Sequence, residues 1–166
     1  MTAKLKPVAD AVDPKAGIAK DKLDSLASGL ESALADSYVL MVKTHAVYWN
    51  VVGPIFFGIH KMTEEQYEDL FDAIDALAER IRSIGRAAPM SFHDMQAKAC
   101  IDELNGPATA ETMLAALEAD HTAIANRMRD AAEAAEECRD FATHDLIVAR
   151  IAFHETAGWM LRSIAA

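Results

Sequence analysis

The sequence is poor in features that would define several other classes of protein. Its only cysteines, Cys100 and Cys138, are too few and too far apart for a disulfide framework or a thiolate metal site. No apolar run approaches the roughly 18 residues of a membrane span, and residues 1–17 lack the continuous apolar segment of a secretory signal. Glycine-rich phosphate loops, zinc motifs and Ser/His/Asp arrangements are also missing. We therefore expect a protein of the reducing cytoplasm with no membrane partner.

Positive charge is scarce as well. The 16 Lys and Arg residues against 26 Asp and Glu residues give a net charge of −10. This balance argues against a surface that binds nucleic acid throughout, and it favours attraction of cations. The length of 166 residues and the apolar share of 52% predict one globular domain with a real core.

Helical periodicity is what the sequence has in abundance. Apolar residues at three- and four-residue steps predict a first helix from about residue 21 to the Gly53-Pro54 turn and a second over about 59–84, ended by Gly85. A third helix opens at Thr109 or Ala110 and runs to about 138, and a fourth covers about 142–164. No segment alternates like a strand.

The order of these segments indicates an all-α fold. Residues 86–108 form a long crossover between the second and third helices, with a short extra helix predicted near 93–101. Four long helices joined in this way describe a ferritin-like four-helix bundle. We expect a mobile N-terminal tail over residues 1–20, which contain two prolines, and the bundle domain over residues 21–166.

Two pairs of metal-binding residue types lie in the second helix. His60 and Glu64 are one turn apart, and so are Asp75 and Glu79. The pairs are separated by about 15 residues, or roughly 22 Å at ~1.5 Å per residue. One copy therefore cannot hold a single ion with both pairs, and a shared site needs a second copy packed antiparallel across a two-fold axis. The alternative is an ordinary acidic, solvated helix face.

Other histidines support a metal site less well. A di-iron site inside one bundle needs two Glu-x-x-His units on separate helices, and only Glu118-x-x-His121 fits, which we interpret as a surface pair. His154 and Glu155 are adjacent and diverge around the fourth helix. His45 lies on the apolar stripe of the first helix and is interpreted as a structural residue.

Several segments together resemble the Dps family, the mini-ferritins. Residues 43–54 read KTHAVYWNVVGP, 56–60 read FFGIH, 64–67 read EEQY, 75–81 read DALAERI and 154–163 read HETAGWMLRS. The resemblance covers about residues 21–164. It implies a hollow homo-dodecamer that oxidises Fe(II), typically with hydrogen peroxide, and stores ferric mineral against oxidative stress.

The resemblance also implies a ferroxidase centre at a two-fold interface. His60 and Glu64 would come from one subunit and Asp75 and Glu79 from its partner, with iron as the bound metal, since imidazole and oxygen donors suit it. Trp49 matches a tryptophan beside the centre that intercepts stray oxidising equivalents.

The main departure from the family pattern is Tyr48, which stands where the family usually has a histidine ligand. A phenol binds Fe(III) well as phenolate but Fe(II) poorly at neutral pH. Three outcomes stay open: Tyr48 ligates ferric iron, His45 substitutes from one turn earlier, or the site is weakened. We favour a weakened or altered site that still binds metal. A smaller departure is Glu64, where an aspartate is usual.

The family also admits iron through acidic pores on three-fold axes. By resemblance, Glu136, Asp140 and Asp145 are the candidates here, and a plain solvated turn is the alternative.

Two further functions compete with ferroxidase activity. One is DNA compaction through the lysine-containing tail, which we expect to be weak beside a shell charge of roughly −120 and which would place the protein at the nucleoid. The other is a shell whose ferroxidase activity has been lost through Tyr48.

Overall fold

The computed structural model describes residues 16–104 and 106–165. Most of the predicted N-terminal tail, residues 1–15, lies outside this range, so its mobility stays a prediction. The described chain forms five helices: α1 (Leu23–Asn50), α2 (Phe56–Ser83), α3 (Phe92–Lys98), α4 (Ala110–Glu137) and α5 (Phe141–Ala165). The all-α fold with a short helix in the crossover is confirmed.

The helices pack as two hairpins. α1 lies against α2 and α4 lies against α5, while α1 also contacts α3 and α4. The shared core consists of aliphatic side chains that are almost fully buried, and burying each contributes roughly 1.5–3 kcal/mol. Its largest members include Leu30, Leu40, Leu70, Leu117 and Ile147.

Local sequence sets where the helices begin and end. The turn at Gly53 (φ 126°) is closed by a hydrogen bond from the amide of Phe56 to the Gly53 carbonyl, so α2 starts three residues earlier than predicted. The Thr109 hydroxyl accepts a hydrogen bond from the amide of Thr112 and caps α4, as its position before the helix suggested.

α2 and α4 end in the same way but with different residues. Gly85 (φ 82°) and Arg139 (φ 57°) both take up the left-handed conformation just beyond the helix. The amides of the next residues, Arg86 and Asp140, then bond back to the carbonyls of Ile81 and Ala135. This is the Schellman arrangement, which usually employs glycine at the left-handed position.

Ion pairs join helices that are distant in sequence. Arg80 on α2 donates to both carboxylate oxygens of Asp140, at 2.6 and 2.8 Å. Arg150 on α5 pairs with Asp69 on α2 at 2.6 Å. These contacts fix the register of α2 against α5. Among the described helices, none has the length and apolar character that a bilayer crossing needs.

Candidate metal centre

Three residues of the predicted site lie together at the junction of α1 and α2. The Tyr48 ring stacks on the His60 ring, with centroids 3.9 Å apart. The Tyr48 hydroxyl donates a long hydrogen bond of 3.4 Å to Oε1 of Glu64. All three side chains are half-buried. One half of the predicted centre, a half-site of Tyr48, His60 and Glu64, is therefore assembled within one chain.

The hydrogen bond of His60 determines which of its ring nitrogens keeps a lone pair. Nδ1 of His60 lies 2.9 Å from the main-chain oxygen of Tyr48. Because a carbonyl oxygen can only accept, Nδ1 must carry the proton, and in the neutral ring Nε2 then keeps its lone pair. Metal-ligating histidines are commonly oriented by a bond of this kind. The donor chemistry of the half-site thus fits a transition metal such as iron.

Glu64 is already engaged by two donors. Lys61, one turn earlier on α2, forms an ion pair with Oε2 of Glu64, while Tyr48 occupies Oε1. The hydrogen bond from Lys61 is the main cause that lowers the pKa of Glu64 below its ordinary value. The carboxylate is therefore ionised at neutral pH, but a metal ion would have to compete with Lys61 for it.

Aromatic rings surround this half-site. The His45 ring lies between Trp49 and Tyr67, with centroids 4.1 and 4.2 Å away. Phe56 stacks on the other histidine, His60, at 5.0 Å. His45 has the packing expected of a structural residue, and a role as substitute ligand stays a hypothesis.

Asp75 and Glu79 lie further along α2, and both are exposed. Along the helix Asp75 lies roughly 22 Å from His60 and Glu79 roughly 28 Å, at ~1.5 Å per residue. Within the part of the chain that the structure describes, neither has an ion-pair partner and no group of three or more His, Cys, Asp or Glu side chains is close enough to hold a metal ion. In a single chain the predicted ligands Asp75 and Glu79 are therefore separate from the cluster of Tyr48, His60 and Glu64.

The interpretation of Glu118-x-x-His121 as a surface pair is wrong for the histidine. His121 on α4 is fully buried, and its Nδ1 lies 2.9 Å from Nδ1 of His154 on α5, which is also fully buried. Glu118 instead accepts hydrogen bonds from Arg162 and Thr122. The spacing alone could not show this, because the partner of His121 is 33 residues away in sequence.

The three pore candidates differ in their surroundings. Glu136 and Asp145 are exposed near the α4–α5 turn. Asp140 is buried, accepts hydrogen bonds from the amide and hydroxyl of Thr143 at the start of α5, and pairs with Arg80. Burial opposes its ionisation, but the bonds from Arg80 and Thr143 outweigh that effect and lower its pKa. Asp140 therefore has a structural task, whereas Glu136 and Asp145 remain pore candidates only as a prediction.

Lys61 is the site residue that sequence reasoning missed. Its three-residue spacing from Glu64 was a usable signal, since oppositely charged residues at that spacing are neighbours on a helix. Tyr67 was also missed as part of the aromatic cluster, although it lies seven residues after His60, two turns along the same face.

Comparison with known proteins agrees with this fold. A family model for the ferritin-like domain matches residues 27–166. The chain is 36% identical over 149 residues to an uncharacterized low temperature-induced protein of Nostoc sp., covering 89% of this chain and 83% of that protein. It is 35% identical over 134 residues to the DNA protection during starvation protein of Brevibacillus brevis, covering 81% and 90%.

A solved structure gives the same result. The Dps protein of Vibrio cholerae, described as a member of a broad superfamily of ferritin-like diiron-carboxylate proteins, superposes with a TM-score of 0.84 at 30% identity. The match covers 90% of this chain and 94% of that one. The architecture is that of the ferritin-like proteins. Within that class, the chain belongs to the Dps family.

Proposed function

We propose that this protein oxidises Fe(II) with hydrogen peroxide and stores the ferric product inside a shell of twelve copies in the cytoplasm. Two Fe(II) ions would supply one electron each to one peroxide, and two protons would complete two water molecules. The activity would remove both reagents of oxidative damage. Family membership supports iron storage and protection in general, and the half-sites support the specific chemistry.

The separation of the two half-sites is the observation that carries the proposal. His60 has a free Nε2 beside an ionised Glu64 at one end of α2, and Asp75 and Glu79 stand exposed further along the same helix. Antiparallel packing of two α2 helices across a two-fold axis would bring His60 and Glu64 of one chain to Asp75 and Glu79 of the partner subunit. The centre would then combine one imidazole and three carboxylates.

Exposed apolar side chains around the half-site support contact with a second copy. Trp49 is 65% exposed and Phe57 is 73% exposed, and both lie where α1 passes into α2. Neighbouring residues Val52, Ile55 and Phe56 are exposed as well. Clustered apolar surface of this kind marks an interaction site on a water-soluble fold.

Tyr48 and Trp49 would modify the reaction. We infer that Tyr48 weakens binding of Fe(II) relative to an imidazole, while the enzyme keeps ferroxidase activity. Trp49, exposed and in contact with His45, would donate electrons to stray oxidising equivalents. Glu136 and Asp145 would raise the local cation concentration at an entry pore.

Complementation between two inactive variants tests the shared centre. One parent carries His60→Ala with Glu64→Ala, and the other carries Asp75→Ala with Glu79→Ala. Each parent should lose the fast phase of Fe(II) oxidation. In shells co-assembled from equal amounts of both, half of the pairs are mixed and one of their two centres is intact, so about a quarter of the wild-type rate should return.

Three results would count against the proposal. No recovery in the mixed shells would mean that the centre is not shared between chains. Wild-type rates in both parents would mean that these residues do not bind iron. If wild-type protein itself shows no fast oxidation after peroxide is added to Fe(II)-loaded protein, the shell has lost ferroxidase activity.

DNA protection is the second candidate function, supported by the name of the Brevibacillus relative. The net charge of −10 opposes binding to a polyanion. We expect at most weak DNA binding, confined to low salt. A gel-shift series against salt concentration tests this, and a strong shift at about 150 mM salt would show that DNA binding is a main activity.

A further inference from the structure

Tyr48 lies between the proposed iron ligand His60 and a run of further aromatic side chains. Its ring stacks on that of His60, with centroids 3.9 Å apart, and meets the edge of the Tyr67 ring at 5.3 Å. Tyr67 in turn stacks on His45 at 4.2 Å, and His45 contacts Trp49 at 4.1 Å. Among the ring contacts of the described residues, Trp49 reaches this cluster through His45 alone. Tyr48 is therefore the oxidisable ring in direct contact with His60.

We propose that Tyr48 donates an electron to peroxide when the centre holds a single Fe(II). The inference rests on the proposed function, which supplies both the iron and the peroxide. Because Tyr48 stands where an imidazole ligand is usual and would weaken Fe(II) binding, centres with one ion should be common when iron is scarce. A single Fe(II) yields one electron, whereas complete reduction of peroxide takes two. Tyr48 supplies the second electron, so that no hydroxyl radical is released.

The oxidation of Tyr48 balances in atoms and charge. One Fe(II), one hydrogen peroxide and the phenol give one Fe(III), one hydroxide, one water molecule and a neutral tyrosyl radical. The O–O bond breaks, the iron and the phenol each lose one electron, and the phenolic proton ends in water. A later Fe(II), together with one proton, reduces the radical and restores the phenol. Once the hydroxide takes up a proton, the sum of the two steps is the two-iron reaction proposed above.

The hydrogen bond to Glu64 favours the oxidation of Tyr48. A phenol that has lost an electron is strongly acidic, and it becomes a neutral radical when its proton leaves. The Tyr48 hydroxyl donates to Oε1 of Glu64 at 3.4 Å, so a carboxylate is in place to accept that proton. Lys61 binds the other oxygen, Oε2, and leaves Oε1 to the phenol. The stacked rings therefore give a path for the electron, and Glu64 gives one for the proton.

Partial burial helps to keep the radical within the protein. Tyr48 and Tyr67 are half-buried, whereas Trp49 is 65% exposed. Contact between the two phenol rings lets the oxidising equivalent move on to Tyr67, one ring further from the iron. The pair of tyrosines can then hold this equivalent until another Fe(II) arrives, instead of passing it at once to the surface.

Rapid freeze-quench electron paramagnetic resonance of the assembled protein tests the proposal. Anaerobic protein receives one Fe(II) for every two chains, so that most occupied centres hold a single ion, and then excess peroxide. Wild type should form an early tyrosyl radical, assigned by the narrowing of its signal when ring-deuterated tyrosine is incorporated, and should release little spin-trapped hydroxyl radical. Tyr48→Phe keeps the ring but lacks the hydroxyl. Per Fe(III) formed, it should lose most of the tyrosyl signal and release several-fold more hydroxyl radical.

Two matched variants separate Tyr48 from other oxidisable rings. Tyr38, about 15 Å before Tyr48 along α1, packs against Phe92 on α3. Tyr38→Phe and Trp49→Phe should both keep the early tyrosyl signal. Loss of that signal in Trp49→Phe, its persistence in Tyr48→Phe, or its absence from wild type that forms Fe(III) would overturn the role of Tyr48 and leave the proposed function standing. Iron oxidation no faster in wild type than in His60→Ala would overturn the proposed function itself.

Discussion

His60 binds the main chain of Tyr48, not its side chain. Nδ1 of the histidine donates to the carbonyl oxygen across 2.9 Å, while the two rings stack 3.9 Å apart. This bond ties the second turn of α2 to the last turn of α1 and fixes which ring nitrogen keeps a lone pair. Substitution of the Tyr48 side chain therefore keeps this hydrogen bond, while it changes the ring stacked on His60 and the donor to Glu64.

Tyr48→His is expected to raise the rate of Fe(II) oxidation by about tenfold or more, because a neutral imidazole is a better Fe(II) ligand than a phenol. Tyr48→Phe keeps the stacking and removes the hydroxyl, and it should stay within about threefold of wild type. Stopped-flow absorbance after peroxide addition measures both. An unchanged rate in Tyr48→His would contradict the view that this position weakens the site.

His45→Phe should leave the oxidation rate and the thermal midpoint near the wild-type values. The phenyl ring can take the place of the imidazole between Trp49 and Tyr67, where packing of aromatic rings contributes about 0.5–1.5 kcal/mol. His93, exposed on α3, provides a control through His93→Phe. A loss of oxidation rate of more than about tenfold in the His45 variant alone would show that His45 ligates iron.

The sequence predicted the helices well because periodicity and turn residues act locally. The start of α4 at the Thr109 cap and the end of α2 at Gly85 depend on residues within one turn of the boundary. The start of α2 was placed too late, because Phe56 and Phe57 carry no start signal of their own. They become helical because the turn at Gly53 positions them.

Contacts between distant helices were beyond sequence reasoning. The pair of Arg80 and Asp140 spans 60 residues and fixes a carboxylate that resemblance assigned to a pore. His121 and His154 lie in two unremarkable motifs, and only the packing of α4 on α5 turns them into a buried pair. Within the candidate site, spacing along α2 could be predicted, but the donors that occupy Glu64 could not.

Arg139→Gly should stabilise the protein by about 1 kcal/mol. Arg139 has φ 57°, and a side chain in this left-handed conformation costs about 1–2 kcal/mol that glycine avoids. Part of the gain is lost because glycine is more flexible in the unfolded chain. Gly85→Ala, at the equivalent position after α2, should destabilise the protein by a similar amount. Urea titration measures the free energy of unfolding of both variants. If both substitutions changed this free energy in the same direction, the explanation would be contradicted.

The buried histidine pair should make stability depend on pH. Burial, reinforced by the positive charge of Arg150, lowers the pKa of His121 from 6.5 to about 4, and burial with the charges of His121 and Arg150 also lowers that of His154. Arg150 is itself paired with Asp69. Above pH 6.5 both rings are neutral in the folded and unfolded chains. Below it the unfolded chain takes up protons that the folded chain resists, so stability falls between pH 6.5 and about 4.

The double variant His121→Leu with His154→Leu should lose much of this dependence. For His121 alone the wild-type loss of unfolding free energy by pH 4 is expected to be up to about 3 kcal/mol, since one pKa unit corresponds to about 1.4 kcal/mol. Both rings must be replaced together, because either one alone would leave the other nitrogen buried without its partner. Thermal midpoints of metal-free protein from pH 7.5 to 4.5 measure the effect, with exposed His93→Leu as control. Parallel curves for wild type and the double variant would show that acid sensitivity arises from other groups.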